Sequence, residues 1–284
     1  MKIKTLPIIA LLFVIFSCSK NEDAAPVTPP ATVVDPADLV VTTFMPIAVT
    51  NRWTYDTATT IVTPAPTTAQ PTTGLDALFV GSEVTENNVL YKLMDTNPAT
   101  PTGFYSTMLK GNKLRIDGSS LKLTGNINYN VGTNVLSLAI SNFTLFKENA
   151  TAGSIVGDTG TITSRQTVQS IPVDVTYKIT SKAQGSVASI TYNGITYNDV
   201  KKNVLTVNLA AIATVGTAPT TVQLPLLASQ DAIVSTQYYS KNNGMIKAET
   251  VVKYQLETTA SSFFTTVPPN GEQNIIENLK LKSF

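Results

Sequence analysis

Residues 235–256 read STQYYSKNNGMIKAETVVKYQL, and the middle of that stretch decides the fold class. Asn243-Gly244 stands between two runs of strand character. Asn-Gly is the pair that best accepts the two consecutive positive φ angles of a type I′ hairpin turn. Beyond it, Val252, Tyr254 and Leu256 alternate with Lys253 and Gln255, the period of a half-buried strand. The signal recurs further out. Asn193-Gly194 lies between SVASITY and ITYNDV, and Gly111-Asn112, between FYSTMLK and KLRI, suits a type II′ turn with Gly first. Three such turns predict antiparallel pairing, because parallel strands need long crossovers.

The same period of two runs through other segments. Leu114 and Ile116 alternate with Lys113, Arg115 and Asp117; Leu136, Leu138 and Ile140 alternate with Ser137, Ala139 and Ser141; Val173, Val175, Tyr177 and Ile179 alternate with Asp174, Thr176 and Lys178. Composition agrees. The 284 residues include 43 Thr, whose branched Cβ suits a pleated surface, with 15 Gly and 16 Pro for turns. Helix candidates are confined to 225–235 (PLLASQDAIVS) and 272–281 (EQNIIENLKL), and the second also fits a closing strand. The Thr/Pro run 63–74 has no apolar pattern and reads as an exposed loop. The expectation is one mainly antiparallel, all-β domain over 41–284, with one or two short helices at most.

The N-terminus reads differently. Residues 1–17, MKIKTLPIIALLFVIFS, place Lys2 and Lys4 before an apolar run too short to span a bilayer, the pattern of a secretory signal. The run ends in Ile15-Phe16-Ser17-Cys18, which resembles a bacterial lipobox; the resemblance implies that Cys18 is acylated and heads the mature chain. Each buried methylene contributes about 0.8 kcal/mol, so several acyl chains, palmitate among them, anchor permanently. Lys20, Glu22 and Asp23 follow, and resemble the surface-export signal of Bacteroidota lipoproteins. Residues 18–40 continue Pro- and Ala-rich, with no periodicity, as a flexible tether. This pattern implies a lipid-anchored outer-membrane protein exposed at the cell surface, whose partners include the membrane and the lipoprotein processing and export machinery.

Composition also excludes function classes. With no His there is no Ser-His-Asp or Cys-His arrangement and no His-ligated metal. A single Cys excludes an internal disulfide. Basic residues number 20 against 19 acidic, and 18 against 19 once residues 1–17 are removed, a balance that argues against nucleic acid as partner. No dinucleotide, phosphate-loop, GxSxG or EF-hand pattern occurs, so no catalytic, cofactor-binding or metal-binding residue is assigned. A glycosidase needs two carboxylates, and Glu83, Glu86, Asp199 and Glu249 are available, but their spacing selects no pair. Asp56-Thr57-Ala58 fits a short bacterial O-glycosylation pattern.

Three segments carry a wider resemblance. Pro46-Ile47-Ala48-Val49-Thr50-Asn51-Arg52-Trp53-Thr54-Tyr55 resembles the first strand of many Bacteroidota lipoproteins, with Thr50 where Gly is commoner. Ile195-Thr196-Tyr197-Asn198-Asp199-Val200-Lys201-Lys202 and Tyr238-Tyr239-Ser240-Lys241-Asn242-Asn243-Gly244-Met245-Ile246-Lys247 resemble two of their later motifs, in the same order. The resemblance implies a strongly curved sheet or open barrel, similar to the carriers LolA and LolB. Trp53, the only Trp, reads as a core anchor, and Tyr238 and Tyr239 point to opposite faces of one strand. The reading that follows is a non-enzymatic envelope lipoprotein that binds a glycan, a lipid or another envelope protein, or plays a structural role. The alternatives are a lipid or lipoprotein carrier with an apolar concave face, and a two-carboxylate surface hydrolase.

Overall fold

A computed structural model gives the conformation of residues 41–65, 70–132, 134–216, 220–263 and 267–284, the side chains of 261–263 excepted. The described strands form one antiparallel sheet of two meanders. The first runs β1 (Arg52–Thr63), β2 (Thr72–Glu86), β3 (Val89–Asn97), β4 (Lys113–Asp117), β5 (Ser120–Val131) and β6 (Asn134–Lys147). The second runs β7 (Ile155–Asp158), β8 (Ile162–Val168), β9 (Ile171–Tyr192), β10 (Ile195–Val215), β11 (Val222–Ser240), β12 (Gly244–Gln255) and β13 (Asn270–Ser283). Consecutive strands pair, except that β7 and β8 both pair β9. The last strand then returns to the first: β13 pairs β1 from Arg52↔Ser283 to Thr63↔Glu272. That pairing curls the sheet into a barrel with one unsealed seam, between β6 and the β7–β8–β9 edge.

Side chains bridge the seam where a ladder would run. Gln166 on β8 accepts from the Ser137 N–H (3.0 Å) and donates to the Ser137 carbonyl (2.8 Å), as a neighbouring strand would. The Tyr177 hydroxyl donates to the Ala139 carbonyl at 2.8 Å. Ser181 and Asn203 both donate to the Leu145 carbonyl, at 2.7 and 3.0 Å. Gly157 is bare because a Cβ there would run into the Thr144 carbonyl. An edge that could recruit foreign strands is thereby blunted.

Along much of the sheet, as in β9 and β10, every second residue faces the interior. Trp53 and Tyr55 are fully buried, their N–H and O–H donated to the carbonyls of Asn243 (2.8 Å) and Met245 (3.1 Å). Tyr129 on β5 reaches across to the Lys253 carbonyl on β12 at 2.6 Å. The segment before β1 puts Phe44, Met45 and Ile47 into the core, so the barrel is filled.

Three local expectations are corrected. Residues 104–109, expected as strand before a Gly111-Asn112 hairpin, form helix α1 (Phe104–Leu109); Gly111 (φ +71°) follows the helix, and β4 pairs back with β3. The second helix, α2 (Thr258–Phe263), carried no sequence signal. The helix candidate 225–235 lies in β11, whereas 272–281 lies in β13, the closing strand that it also fitted. Bulges opposite Val207–Ile212 put Leu226-Leu227 and Ala232-Ile233 side by side in the core, which blurs the period of two in β11. The Asn193-Gly194 turn has both positive φ angles, 51° and 76°. At the decisive hairpin the positive angles fall instead on Asn242 (58°) and Gly244 (85°), and Ser240 pairs Gly244 around a three-residue loop.

Candidate functional site

The interior holds the strongest electrostatics. Asp76 on β2 and Glu277 on β13 are fully buried, and both aim at the start of α1. Glu277 accepts from the Tyr105 N–H (2.6 Å), the Ser106 N–H (3.1 Å) and the Ser106 hydroxyl (3.0 Å). Asp76 accepts from the Thr102 N–H (2.9 Å), the Gly103 N–H (2.7 Å) and the Thr102 hydroxyl (3.3 Å). A helix without its own capping side chain is thus capped by strands remote in sequence. Gly103 has no Cβ because Glu277 occupies that space. Burial pushes the Glu277 carboxyl up to about 7; the Tyr105 and Ser106 donors pull it down, and Asp76 adds to the rise. Rings then run Tyr55–Tyr105–Tyr239–Phe146–Phe44 at centroid separations of 6.3, 6.4, 4.5 and 5.7 Å. Burial raises the hydroxyl pKa of Tyr55, Tyr105 and Tyr239. This assembly is a plug: its carboxylates already hold their donors and are closed off from solvent.

An apolar hollow of about 40 Å³ lies between Val131, Val168, Leu227 and Val267. Even benzene needs roughly 150 Å³.

The carboxylates singled out by type are scattered. Glu83 pairs with Lys92, and Glu86 with Lys113 at 2.6 Å, both on the β2–β4 wall. Glu249 pairs with Lys247 at 2.8 Å and accepts from the Tyr238 hydroxyl at 3.2 Å; against its partial burial, these partners hold it below the usual carboxylate range. Asp199 is exposed, with a positive φ of 52°. The structure brings no two of them together. Tyr239 is buried in the ring series, while Tyr238 lies outside between Lys202 and Lys247. Thr57 is 3% exposed and hydrogen-bonded to Thr102 (2.6 Å), so the folded body hides the hydroxyl of the glycosylation pattern. Cys18, Lys20, Glu22 and Asp23 lie outside the described residues.

The outer face offers what the interior does not. β9 and β10 outrun their neighbours: beyond Lys201↔Tyr239, β10 has no β11 partner, and residues 184–200 form a two-stranded arm. Its two strands carry positive φ angles at Gly185 (88°) and Asp199 (52°). The six residues from Lys201 to Ile195 span about 20 Å, and four strand spacings, the interval from β10 to β1, come to about 19 Å. At the tip, the Tyr192 hydroxyl lies 3.4 Å from Asp56 Oδ2 on β1. The arm is therefore long enough for its tip to reach back to β1.

Beneath Tyr192 is an open hollow of about 560 Å³. Its floor is formed by Asp56, Ala58, Thr73, Leu75, Asn278 and Lys280; Asp56, Ala58, Leu75 and Asn278 each adjoin a buried residue in the chain. Lys280 pairs with Asp56 at 2.9 Å. Leu75 is 49% exposed and Ile276, beside Ala58, is 39% exposed. The hollow combines a carboxylate, an ammonium, an amide, a hydroxyl, a phenol ring and apolar ground. Asp56 was visible in sequence only within the glycosylation pattern, and Tyr192 only as a strand residue beside Asn193-Gly194. Their meeting across 136 positions left no sequence signal.

Among the described residues no three His, Cys, Asp or Glu side chains gather as metal ligands would. Comparison with family models, curated proteins and solved structures finds no match to this chain.

Proposed function

We propose that the protein is a lipoprotein of the bacterial cell envelope, anchored in the outer membrane through acylated Cys18 and displayed at the cell surface, whose β body acts by binding. The observation that carries this reading is Ile15-Phe16-Ser17-Cys18: the one cysteine of 284 residues stands where lipid attachment requires it, after an apolar leader. Lys20, Glu22 and Asp23 follow as the export signal. The body supports binding over chemistry, because its buried carboxylates are saturated with donors while its outer hollow holds mixed polar groups within reach of solvent. A lipid carrier needs a wide apolar cavity, whereas the core of this barrel is packed and its apolar hollow, about 40 Å³, is too small for an acyl chain.

Metabolic labelling with a fatty-acid analogue tests the anchor. Cys18→Ser is expected to lose the label, and equal labelling of variant and wild type overturns the reading. Replacing Lys20, Glu22 and Asp23 together with Ala is expected to remove the body from whole-cell protease attack. Unchanged attack overturns surface display.

A further inference from the structure

We propose that the hollow between Tyr192 and the β2–β1–β13 wall is a binding site for a neutral oligosaccharide. The inference rests on the reading of the body as a binding module and names its ligand class. Four observations converge on it.

The volume, about 560 Å³, falls within the roughly 300–1,000 Å³ of small-molecule sites. The polar groups are of mixed kind: Asp56 accepts, Lys280 donates, and Asn278, Thr73 and Tyr192 can do both. A sugar presents hydroxyls that donate and accept in close succession, so a mixed set suits it better than a row of like groups. Asp56 and Lys280 cancel each other's charge at 2.9 Å, which favours a neutral ligand over a phosphate or an acidic sugar. Leu75 and Ala58 give apolar ground for the C–H face of a sugar ring, with the Tyr192 phenol beside it.

The wall also argues against a peptide. A peptide that binds by adding a strand finds no edge in the floor of the hollow, because β1, β2 and β13 are each paired on both sides; the free edges of the 184–200 arm are what the hexapeptides in the titration below test. The Tyr192 hydroxyl and Asp56 Oδ2, 3.4 Å apart, lie beyond the roughly 2.5–3.0 Å of an ordinary hydroxyl bond, so the contact is weak. Sugar hydroxyls can replace it without stranding either group.

The full-length lipoprotein, in a detergent without a sugar headgroup, is titrated calorimetrically with cellohexaose, xylohexaose, mannohexaose and maltohexaose. Sialyllactose and a mixture of hexapeptides complete the set. At least one neutral hexasaccharide is expected to bind. Tyr192→Ala should weaken it at least tenfold, Tyr192→Phe no more than threefold, and Tyr91→Ala on β3 should leave it unchanged. Each variant is first checked for a wild-type melting curve; Tyr192 is half-buried at the end of β9, beside the Asn193-Gly194 turn. Binding by none of the neutral sugars, binding by sialyllactose or peptide alone, or indifference to Tyr192→Ala overturns the proposal. Fatty-acid labelling of the same preparation separates the two readings. A labelled protein that binds no sugar loses only the sugar site, and an unlabelled protein that binds one loses only the anchor.

Discussion

One patch of wall, where β2, β1 and β13 run side by side, presents opposite chemistry on its two faces. Inside, Asp76, Thr57 and Glu277 grip the start of α1; outside, one residue along each strand, Leu75, Asp56 and Asn278 floor the hollow under Tyr192. Both faces hold carboxylates, yet the inner pair is fully buried with three donors apiece, while Asp56 shares water with a lysine and one long hydroxyl bond. The difference teaches that the surroundings set a carboxylate's role. Desolvated, it holds a geometry in place, because an abandoned donor has no water to turn to. Solvated, it contributes little to stability and is open to a ligand.

The largest effect should come from emptying the inner face. Glu277→Ala leaves the Tyr105 and Ser106 N–H groups buried without acceptors. We expect a loss of about 3–5 kcal/mol in a denaturant titration at pH 7. Glu277→Gln, which keeps one acceptor oxygen, should lose roughly half as much. A loss under about 1 kcal/mol for the Ala variant would erase the contrast between the faces.

A pair of glycines sharpens it. At Gly244 (φ +85°) a Cβ would lie 2.6 Å from Trp53 Nε1 and 3.1 Å from Met45 Sδ, so Gly244→Val meets both backbone strain and a packed core. At Gly194 (φ +76°), on the arm tip, a Cβ meets open space. Gly244→Val should cost about 2–4 kcal/mol and Gly194→Ala about 1 kcal/mol. Equal losses would show that packing around Trp53 adds nothing to the strain.

Between about pH 4.5 and 7, stability against pH reports on the inner face. The Glu277 carboxyl is raised to about 7 in the folded chain from an ordinary 4.5, so between those values the native state holds a proton that the unfolded state has released. Its contribution is therefore complete below about pH 4.5 and is lost as pH rises through about 7, by about 3 kcal/mol in all. The difference between wild-type and Glu277→Gln melting curves should trace that decline. A flat difference from pH 4.5 to 7.5 would mean the carboxylate stays ionised throughout.

The outer face should barely register. Tyr192→Ala removes the weak contact to Asp56 and Asp56→Asn the surface ion pair with Lys280, and each should change stability by no more than about 0.5 kcal/mol. A loss above 1.5 kcal/mol for either would make the arm a structural brace.

Legibility in the sequence follows the range of the forces involved. Strands were readable where one face meets the core and the other meets water, as at 113–117 and 173–179, because alternation is local. The same rule failed at Leu226-Leu227, where bulges break the alternation, and at Phe104–Leu109, where strand-favouring residues coil inside the barrel. The Asn243-Gly244 signal placed its hairpin correctly but shifted one positive φ by a residue, since a three-residue loop and a two-residue loop draw on the same residue types.

By itself the sequence determined that this is an antiparallel β protein with a core built around Trp53, because patterning, turn chemistry and burial of the one Trp act over a few residues. Only the tertiary structure decided the return of β13 to β1, the capping of α1 by Asp76 and Glu277, and the meeting of Tyr192 with Asp56. Each joins groups that are remote in the chain, and their energy depends on a desolvated interior or a shared wall. Neither exists until the barrel has closed.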